Sequence, residues 1–437
     1  MQNNNRIAAE TKKFLFVSLE SLSGDLAWQL VKEGHAVKAY IKEKSDADVY
    51  LGFIERIDEW KSYVDWADVV VFDDIDFGNI ADELRKKGKY VVGGSAYTDR
   101  LEIDREFGQD ELKKYGVNTL PGWHFSDYSQ AIDFIKKNPD RYAFKPSGNT
   151  PSGGKGLLFL GQEEDGRDLI ELLEQNKNVW QKKAPIFLLQ KFVFGVEIAV
   201  GAFFNGQDFI YPININFEHK KIFSGNIGPF SGEMGTLMFW SENNYLFEAT
   251  LQKMLPAIRD SGYIGYIDLN CIVNGRGIYP LEFTSRFGYP TIHIQLEGIL
   301  TPVGEWLYQL SRGEQFRLKT KRGFQIGVRV LAPPYLTKKD TEEIELYHDL
   351  AVSFKKANNL DGIHIEDVKK DEDGIWRIAG VSGCVIVVTA SGTTVEEARH
   401  LAYSRIKNVM IPNMFYRTDI GLRWGSDSDK LRTWGYI

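Results

Sequence analysis

The stretch IGYIDLNCIVNGRGIYPLEFTSRFGYP (residues 264–290) decides how the chain is interpreted, because it places isolated acids in apolar strands. The runs at 264–273 and 277–283 are typical of buried strands. Asp268 lies within the first run and Glu282 within the second. A lone carboxylate is costly to bury among apolar side chains. A shared Mg²⁺ or Mn²⁺ ion would explain why two carboxylates lie in these apolar strands, since such cations prefer oxygen ligands and bridge phosphates.

An arginine, Arg286, follows Glu282 by four residues. Its guanidinium suits a carboxylate or a phosphate, because it forms two parallel hydrogen bonds with either group. The alternative is one buried salt bridge between Arg286 and Glu282 or Asp268. The sequence leaves both interpretations open.

A glycine-rich loop, SGNTPSGGKG (147–156), follows a strand candidate at 142–148. Glycines let the backbone approach a ligand closely and direct N–H groups at phosphate oxygens, and lysine ammonium groups suit phosphate charge. The loop is not the G-x-x-x-x-G-K-[ST] motif, because Gly156 stands where Ser or Thr is required. An exposed hairpin loop is the alternative. The candidate phosphate-binding residues are Lys145, Ser147, Gly153, Gly154, Lys155 and Gly156.

Two weaker patterns follow along the chain. The run QKFV (190–193), with Glu197 close behind, has the backbone groups to read an adenine edge and a carboxylate to bond ribose hydroxyls, although an ordinary amphipathic strand is the simpler interpretation. The loop SGNIGPFSGEMG (224–235) is preceded by His219 and Lys220 and contains four glycines. It suits a segment that wraps a small substrate, and a plain surface loop is the alternative.

These features together predict a reaction. Lysines and the loop would hold ATP phosphates, the two acids would hold a divalent cation, and the γ-phosphate would pass to a carboxylate. An amine would then attack the acyl-phosphate. Positioning and neutralisation of charge supply most of the catalysis in such transfers, so no nucleophilic side chain is required.

Composition excludes several other classes. The chain has 437 residues, of which 43% are hydrophobic and 26% charged, with a net charge of −7. These values are typical of a globular protein and disfavour nucleic-acid binding by a basic surface. The two cysteines, Cys271 and Cys384, are too few for a disulfide framework and lie in apolar contexts. No signal peptide or run of about 18 apolar residues is present, so we expect a cytoplasmic protein without membrane contact.

The order of elements predicts three domains. Alternating strand and helix patterns in residues 1–100 indicate a doubly wound parallel sheet, and hence an α/β fold. Residues 101–325 have a mixed α+β pattern, with a small subdomain at about 120–192. Residues 326–437 predict a further α/β unit.

Three separated motifs resemble the phosphoribosylamine–glycine ligases, ATP-grasp enzymes of purine synthesis. FEHKKIFSGNIGPFSGEMG (217–235) is similar to the family's DHKR…GDTGPNTGGMGA loop, and PLEFTSRFGYP (280–290) is similar to its IEFNxRFGDPE. The stretch 382–421 resembles the family's closing segment and keeps its YRTDIG at Tyr416–Gly421. The resemblance spans about residues 90–421. It implies an ATP-grasp fold between an N-terminal Rossmann-like domain and a C-terminal domain.

The resemblance also implies residue roles. Arg105 stands where the family has a nucleotide-binding lysine, Lys145 would contact phosphates, and the 147–156 loop would be the closing lid. Gln190, Lys191 and Val193 would lie at adenine, and Glu197 at ribose. The implied metal ligands are Glu282, Asp268 and Thr284, the last replacing an asparagine. Lys145 and Arg286 would act in catalysis, and the implied substrate residues are His219, Lys220, Gly232, Glu233, Met234, Gly235 and Arg286.

The departures from the family concern the amine substrate. The family's glycine-rich GxGGREHA turn, which takes part in binding phosphoribosylamine, is replaced by SLESLSGDLA (18–27), and its GPEAPL segment by FDDIDFG (72–78). Acids there would repel a phosphate. We therefore hypothesise an acidic pocket for a cationic or polyhydroxylated amine, formed by Glu20, Asp25, Asp73, Asp74 and Asp76.

Three interpretations remain at this point. They are a divergent phosphoribosylamine–glycine ligase, a relative that uses a different amine or acid, and a catalytically inactive descendant that binds nucleotide. The expected partners are a small carboxylate and a small amine. Either a monomer or a homodimer is compatible with the sequence.

Overall fold

A computed structural model describes residues 10–147, 157–242, 244–336 and 341–437 of the chain. The first unit is a five-stranded parallel sheet in the order β3-β2-β1-β4-β5. Its central strands are apolar and buried because helices cover the sheet, as parallel sheets require. The doubly wound sheet predicted for the N-terminal segment is therefore confirmed. Its elements are β1 (Lys13–Ser18), α1 (Gly24–Lys32), β2 (Ala36–Ile41), β3 (Glu55–Arg56), β4 (Val69–Phe72), α2 (Gly78–Lys86) and β5 (Val91–Val92).

The next segment contains two helices and a small subdomain, called the lid here and defined as residues 120–192. The lid has a four-stranded antiparallel sheet in the order β6-β9-β7-β8, and its apolar side chains between Trp123 and Leu189 form a core of their own. The elements are α3 (Ala96–Ile103), α4 (Arg105–Lys114), β6 (Gly122–Phe125), α5 (Tyr128–Lys137), β7 (Tyr142–Pro146), β8 (Phe159–Leu160), α6 (Arg167–Lys183) and β9 (Phe187–Lys191).

The rest of the chain contains the largest sheet of the fold, which has eight antiparallel strands, and six short strands outside it. Strands β10 to β23 are Val196–Phe204, Phe209–Glu218, Lys221–Phe223, Ile227–Phe230, Gly235–Ser241, Gly265–Asn274, Gly277–Thr284, Phe324–Leu331, Ser353–Phe354, Ile363–Ile365, Val368–Lys370, Trp376–Ile378, Cys384–Gly392 and Val409–Met410. Helices α7 to α13 are Tyr245–Ala249, Leu255–Asp260, Thr291–Gly298, Val303–Ser311, Thr341–Tyr347, Val395–Ile406 and Trp424–Trp434.

The strand order of this sheet is β16-β15-β10-β11-β14-β17-β22-β19. Strand β17 pairs with β14 on one side and with β22 on the other, so the sheet continues from the middle segment into the C-terminal segment. One apolar core also joins the N-terminal sheet to β17 and β22. These connections hold the strands that carry the predicted acids in a fixed frame.

Two further observations complete the fold. Cys271 and Cys384 are buried free thiols, as the apolar contexts predict. Among the helices of the described ranges, none combines the length and the apolar character needed to cross a membrane.

Candidate active site

Glu282, near the end of β16, lies among three cationic side chains. Its Oε2 accepts a hydrogen bond from Arg105 Nη2 at 2.9 Å, and its Oε1 accepts one from Lys220 Nζ at 3.2 Å. The charge of Lys220, followed by those of Arg105 and Lys145, outweighs burial and lowers the pKa of Glu282 to about 2. The carboxylate is therefore ionised at every physiological pH.

Arg105 reaches this position because α4 is capped and anchored locally. The Asp104 side chain accepts a hydrogen bond from the Phe107 backbone N–H at 3.1 Å, so α4 begins at Arg105. One turn later, Gln109 Nε2 donates to the carbonyls of Pro280 and Leu281 at 3.2 Å each. The helix is thus fixed against β16, and its first side chain lies beside Glu282.

Lys145 comes to the same site from the lid. It lies on β7, and its Nζ donates to Gln190 Oε1 on β9 at 2.7 Å. Burial lowers the pKa of Lys145 to about 8, with Arg105 and Lys220 acting in the same direction and Glu282 opposing them. Lys145 and Glu282 therefore share one electrostatic environment, although they belong to different sheets.

Lys220 lies close to three acidic side chains. It follows β11 and lies 3.2 Å from Glu282, 3.4 Å from Glu218 and 3.5 Å from Glu197. Burial alone would lower the pKa of Lys220, but Glu218, Glu282 and Glu197 raise it well above the usual value. The ammonium is therefore permanently charged at the centre of the cluster.

Strand β15 supplies oxygen atoms beside Glu282. Its residues Asp268 and Asn270 are the register partners of Thr284 and Glu282 in β16, so the four side chains share one face. Among the described residues, Asp268 Oδ1 and Asn270 Oδ1 are buried and accept no hydrogen bond. Unpartnered oxygens next to an ionised carboxylate fit a hard divalent cation, so the donor set suits Mg²⁺. The half-buried Thr284 lies opposite Asp268.

Sequence reasoning missed Asn270 as a candidate ligand. The signal was its spacing of two residues from Asp268, which places both side chains on one face of a strand. The register that puts Asn270 opposite Glu282 cannot be read from the sequence. Sequence reasoning also missed Glu218, whose Oε2 accepts a hydrogen bond from Asn270 Nδ2 at 2.9 Å.

Arg286 is held by acids from remote parts of the chain. Its Nη2 lies 3.2 Å from Glu102 Oε1 on α3, and its Nε lies 3.6 Å from Asp74 Oδ1, just after β4. The described residues show no salt bridge of Arg286 with Glu282 or Asp268, although the charge of Asp268 acts on Arg286. Arg286 on the loop after β16 is therefore tied to α3 and to the end of β4 in the N-terminal sheet.

The residues assigned to adenine and ribose occupy the junction of the lid and the central sheet. The Gln190 side chain accepts the hydrogen bond from Lys145, Lys191 forms an ion pair with Asp140 at 2.5 Å, and Val193 is half-buried. The Ser147 backbone N–H donates to Ile186 at 3.0 Å. The remaining loop candidates, Gly153, Gly154, Lys155 and Gly156, lie outside the described residues.

In the loop before β14, several predicted substrate residues are packed inside the protein. Met234 is fully buried, and a Cβ at Gly235 would overlap the carbonyl oxygen of Gly327. The buried Glu233 accepts a hydrogen bond from the Thr236 hydroxyl. Gly232 has a positive φ of 83° and open space around its Cα.

His219 is also buried. Burial, together with the charges of Arg423 and Arg417, lowers its pKa to about 3, so the imidazole is neutral at physiological pH. Of the substrate candidates in this segment, only Lys220 has contacts with the Glu282 cluster among those described. A substrate role for His219, Gly232, Glu233, Met234 and Gly235 stays a prediction.

The five acids hypothesised to form one pocket are divided by the structure. Asp25 is fully buried, and its Oδ2 lies 2.6 Å from His364 Nδ1, so it does not face the site. Asp73 and Asp74 lie at the end of β4, whereas Glu20 and Asp76 are exposed. Asp25 is thus removed from the hypothesis.

The chain is similar to known ligases along most of its length. Residues 103–292 match the family model described as phosphoribosylglycinamide synthetase, ATP-grasp (A) domain. The phosphoribosylamine–glycine ligase of Listeria monocytogenes is 25% identical over 79% of this chain and 81% of the relative. That of Streptococcus pneumoniae is 26% identical over 80% of this chain and 82% of the relative.

Solved structures share the fold at lower identity. The phosphoribosylamine–glycine ligase of Thermotoga maritima matches with a TM-score of 0.70 and 21% identity, over 94% of this chain and 100% of that one. A biotin carboxylase from Campylobacter jejuni matches with a TM-score of 0.64 and 13% identity, over 98% of each chain. The sequence matches and the common architecture agree: the chain is similar to the phosphoribosylamine–glycine ligases over most of its length, and its residues 103–292 match the ATP-grasp domain of phosphoribosylglycinamide synthetase.

Proposed function

We propose that the protein is an ATP-dependent ligase that joins a carboxylate to an amine through an acyl-phosphate, and that it is most like phosphoribosylamine–glycine ligase. The observation that carries this proposal is the convergence of Lys145, Arg105 and Lys220 on Glu282. Three cations around one carboxylate, at the junction of the lid and the central sheet, suit a triphosphate. ATP and the two small-molecule substrates are the implied partners.

The cations would act on the phosphates. Lys145 and Arg105 reach the site from the lid side and from α4, so they would neutralise phosphate oxygens from one direction while Lys220 neutralises them from the central sheet. Fixed charges of this kind stabilise the negative charge that develops during phosphoryl transfer without reorganising at the moment of reaction. Arg286 would orient the carboxylate that receives the phosphoryl group, since a guanidinium binds such a group with two hydrogen bonds.

Oxygen atoms of Glu282, Asp268 and Asn270 would hold Mg²⁺. When bound, the cation would supply further neutralisation of the phosphates. Glu282 contacts Arg105 and Lys220 with its two oxygens, so it would exchange one of these hydrogen bonds for the metal. From β15, Asp268 and Asn270 each supply a buried Oδ1 that has no hydrogen-bond partner among the described residues.

The test is an acyl-phosphate trap that does not depend on the amine. Purified protein, MgATP, hydroxylamine and a panel of carboxylates beginning with glycine should give a hydroxamate and equimolar ADP with at least one carboxylate. Lys145→Met should lower the rate by about 100-fold or more, the usual cost of removing one group that stabilises transition-state charge. Lys136→Met is the matched control, because Lys136 lies on the lid and, within the described residues, pairs only with the exposed Glu174.

An absence of both hydroxamate and ADP for all carboxylates, with ATP still bound, would refute the ligase proposal. That outcome would identify a nucleotide-binding descendant without catalysis. A normal rate for Lys145→Met would show that the cation cluster is not the phosphate site.

A further inference from the structure

A buried row of polar side chains lies beside Asp268 and crosses three strands of the central sheet. Tyr266, Asp268 and Asn270 alternate along β15, so their side chains share one face. Asn214 and Asn216 alternate in the same way along β11. All five side chains are at most 4% exposed. A buried polar group is costly unless it is hydrogen-bonded, so the partners of each group indicate what the row does.

The strand between them, β10, has a glycine where the row crosses it. Gly201 is the register partner of Asp268 in β15 and of Asn214 in β11, so the three positions form one line across the sheet. A Cβ at Gly201 would overlap the Tyr266 hydroxyl oxygen and come within 2.7 Å of the Asp268 Cβ. The glycine therefore makes room for side chains of β15 and β11 to meet over β10.

The Tyr266 hydroxyl lies at the centre of this row. Its oxygen accepts hydrogen bonds from Asn214 Nδ2 at 2.8 Å and from Asn216 Nδ2 at 3.5 Å. Because these amide groups occupy the lone pairs of the oxygen, the hydroxyl hydrogen is left for Asp268 Oδ2, which lies 3.2 Å away. Tyr266 is therefore the donor in its hydrogen bond with Asp268.

The amide that orients the hydroxyl is held in turn. Gln295 Nε2 on α9 donates to Asn214 Oδ1 at 3.2 Å, which leaves Asn214 Nδ2 as the group that meets Tyr266. Asn214 Nδ2 also donates to Asn216 Oδ1 at 3.0 Å. All three amide side chains are fully buried, so bulk water has little access to these bonds. A connected series of hydrogen bonds thus runs from α9 to Asp268.

This series decides which oxygen of Asp268 remains available. Oδ2 accepts the Tyr266 hydroxyl, whereas Oδ1 is buried and has no hydrogen-bond partner in the described ranges. The Oδ1 of Asn270, two residues along the same face, also lacks a partner there. In metal sites, the carboxylates that bind the cation are commonly oriented by hydrogen bonds of this kind, and losing one weakens the site.

We propose that Tyr266 is a positioning residue of the cation site. Its hydroxyl fixes the carboxylate of Asp268 so that Oδ1 is presented, together with Asn270 Oδ1, to a divalent cation. Asn214 and Gln295 support this role because they direct the hydroxyl hydrogen. The inference rests on the ligase function proposed above, since it concerns the cation that would accompany ATP. Tyr266, Asn214 and Gln295 all lie outside the three motifs that resemble the ligase family.

The test measures cation binding rather than turnover. The full chain, in excess over ADP so that the nucleotide is protein-bound, is titrated with Mn²⁺, and free Mn²⁺ is measured by electron paramagnetic resonance. Tyr266→Phe removes only the hydroxyl and keeps the ring against Phe203, so the fold should be retained. We expect the Kd for Mn²⁺ to rise about 10- to 100-fold, the usual cost of losing a hydrogen bond that orients a metal ligand.

Further variants separate positioning from a general structural effect. Tyr128→Phe removes another buried hydroxyl, which donates to the Ala184 carbonyl at 2.8 Å within the lid, and should leave the Kd unchanged. In the Asp268→Ala background, Tyr266→Phe should cause no further loss, because the carboxylate that it positions is gone. Asn214→Ala should weaken Mn²⁺ binding by a smaller factor, and it provides the test if Tyr266→Phe does not fold.

The proposal is overturned if Tyr266→Phe binds Mn²⁺ as tightly as the wild type, or if it loses the same factor with and without Asp268. An equal loss in Tyr128→Phe, or a wild type that binds no Mn²⁺ beyond what ADP binds alone, would overturn it as well. The hydroxamate trap decides the ligase function separately. A failed trap with the expected Mn²⁺ results would remove the ligase function and still support the positioning of Asp268.

Discussion

Replacement of Asp73 by asparagine should stabilise the protein at pH 8 and have little effect at pH 4. Asp73 is fully buried at the end of β4. Burial raises the pKa of its carboxyl to about 7, against the hydrogen bonds from Ser23 and Ser18 that favour the ionised form, and the neighbouring Asp74 raises it further. The folded protein therefore holds a proton at Asp73 over a pH range in which the unfolded chain has lost it.

The sign of the effect follows from this difference. Because the folded state binds more protons between about pH 4 and pH 7, stability falls as the pH rises through this range and levels off above it. The distance between an ordinary aspartate pKa of about 3.9 and the value of about 7 corresponds to about 4 kcal/mol as an upper limit. Asparagine keeps an acceptor oxygen for the Ser23 N–H and carries no charge, so the variant avoids this loss.

The assay is the thermal midpoint of the wild type and Asp73→Asn at intervals from pH 4 to pH 8. The difference between the two proteins should grow with pH, by several degrees at most for a chain of this size. Asp110→Asn is the control, because the exposed Asp110 pairs with Lys113 alone in the part of the chain that the structure describes, and its removal should give parallel curves. Parallel curves for Asp73→Asn as well would refute the reasoning, since they would mean that Asp73 has the same pKa in the folded and unfolded states.

Two further predictions concern Lys145 and the buried pair of Asp25 with His364. Because burial lowers the pKa of Lys145 to about 8, kcat/KM for ATP should fall as the pH rises above 8. In Lys145→Arg this fall should begin at a higher pH, because the guanidinium stays charged. A fall at the same pH in both enzymes would assign the titration to another group. His364→Leu should cost about 3–5 kcal/mol of unfolding free energy in urea titrations, because it leaves Asp25 charged, fully buried and without its partner at 2.6 Å. Adding Asp25→Asn should recover part of the loss, and a strictly additive double variant would contradict the pairing.

The sequence predicted the parts of the site that depend on local pattern. The apolar strands around Asp268 and Glu282, and the strand that carries Lys145, follow from short periodic runs, and all three are observed as strands. In the structure the charges of Lys145 and Glu282 also act on each other. The family motifs extended the prediction to Arg105, whose contact with Glu282 joins residues 177 positions apart.

Partners that meet only through the tertiary fold escaped prediction. Asp25 looked like a member of an acidic pocket, but its partner His364 is 339 residues away in sequence. A salt bridge of Arg286 with Glu282 or Asp268 was one of the two interpretations that the sequence left open, whereas in the structure Glu102 and Asp74 pair with Arg286 from a different layer of the fold. A local pattern specifies which face of a strand is apolar, but register and the packing of sheets decide which charges meet.

The separate core of the lid has a consequence for the balance of charge at the site. Lys145 belongs to the lid, whereas Glu282 lies on the central sheet and Lys220 follows one of its strands. Because the lid buries its apolar side chains against one another, a change in its tilt would expose little apolar surface. The main energetic cost would be the loss of the electrostatic attraction between Lys145 and Glu282. A tilt of the lid would therefore change the number of positive charges around Glu282 by one, because Lys145 belongs to the lid whereas Arg105 and Lys220 do not.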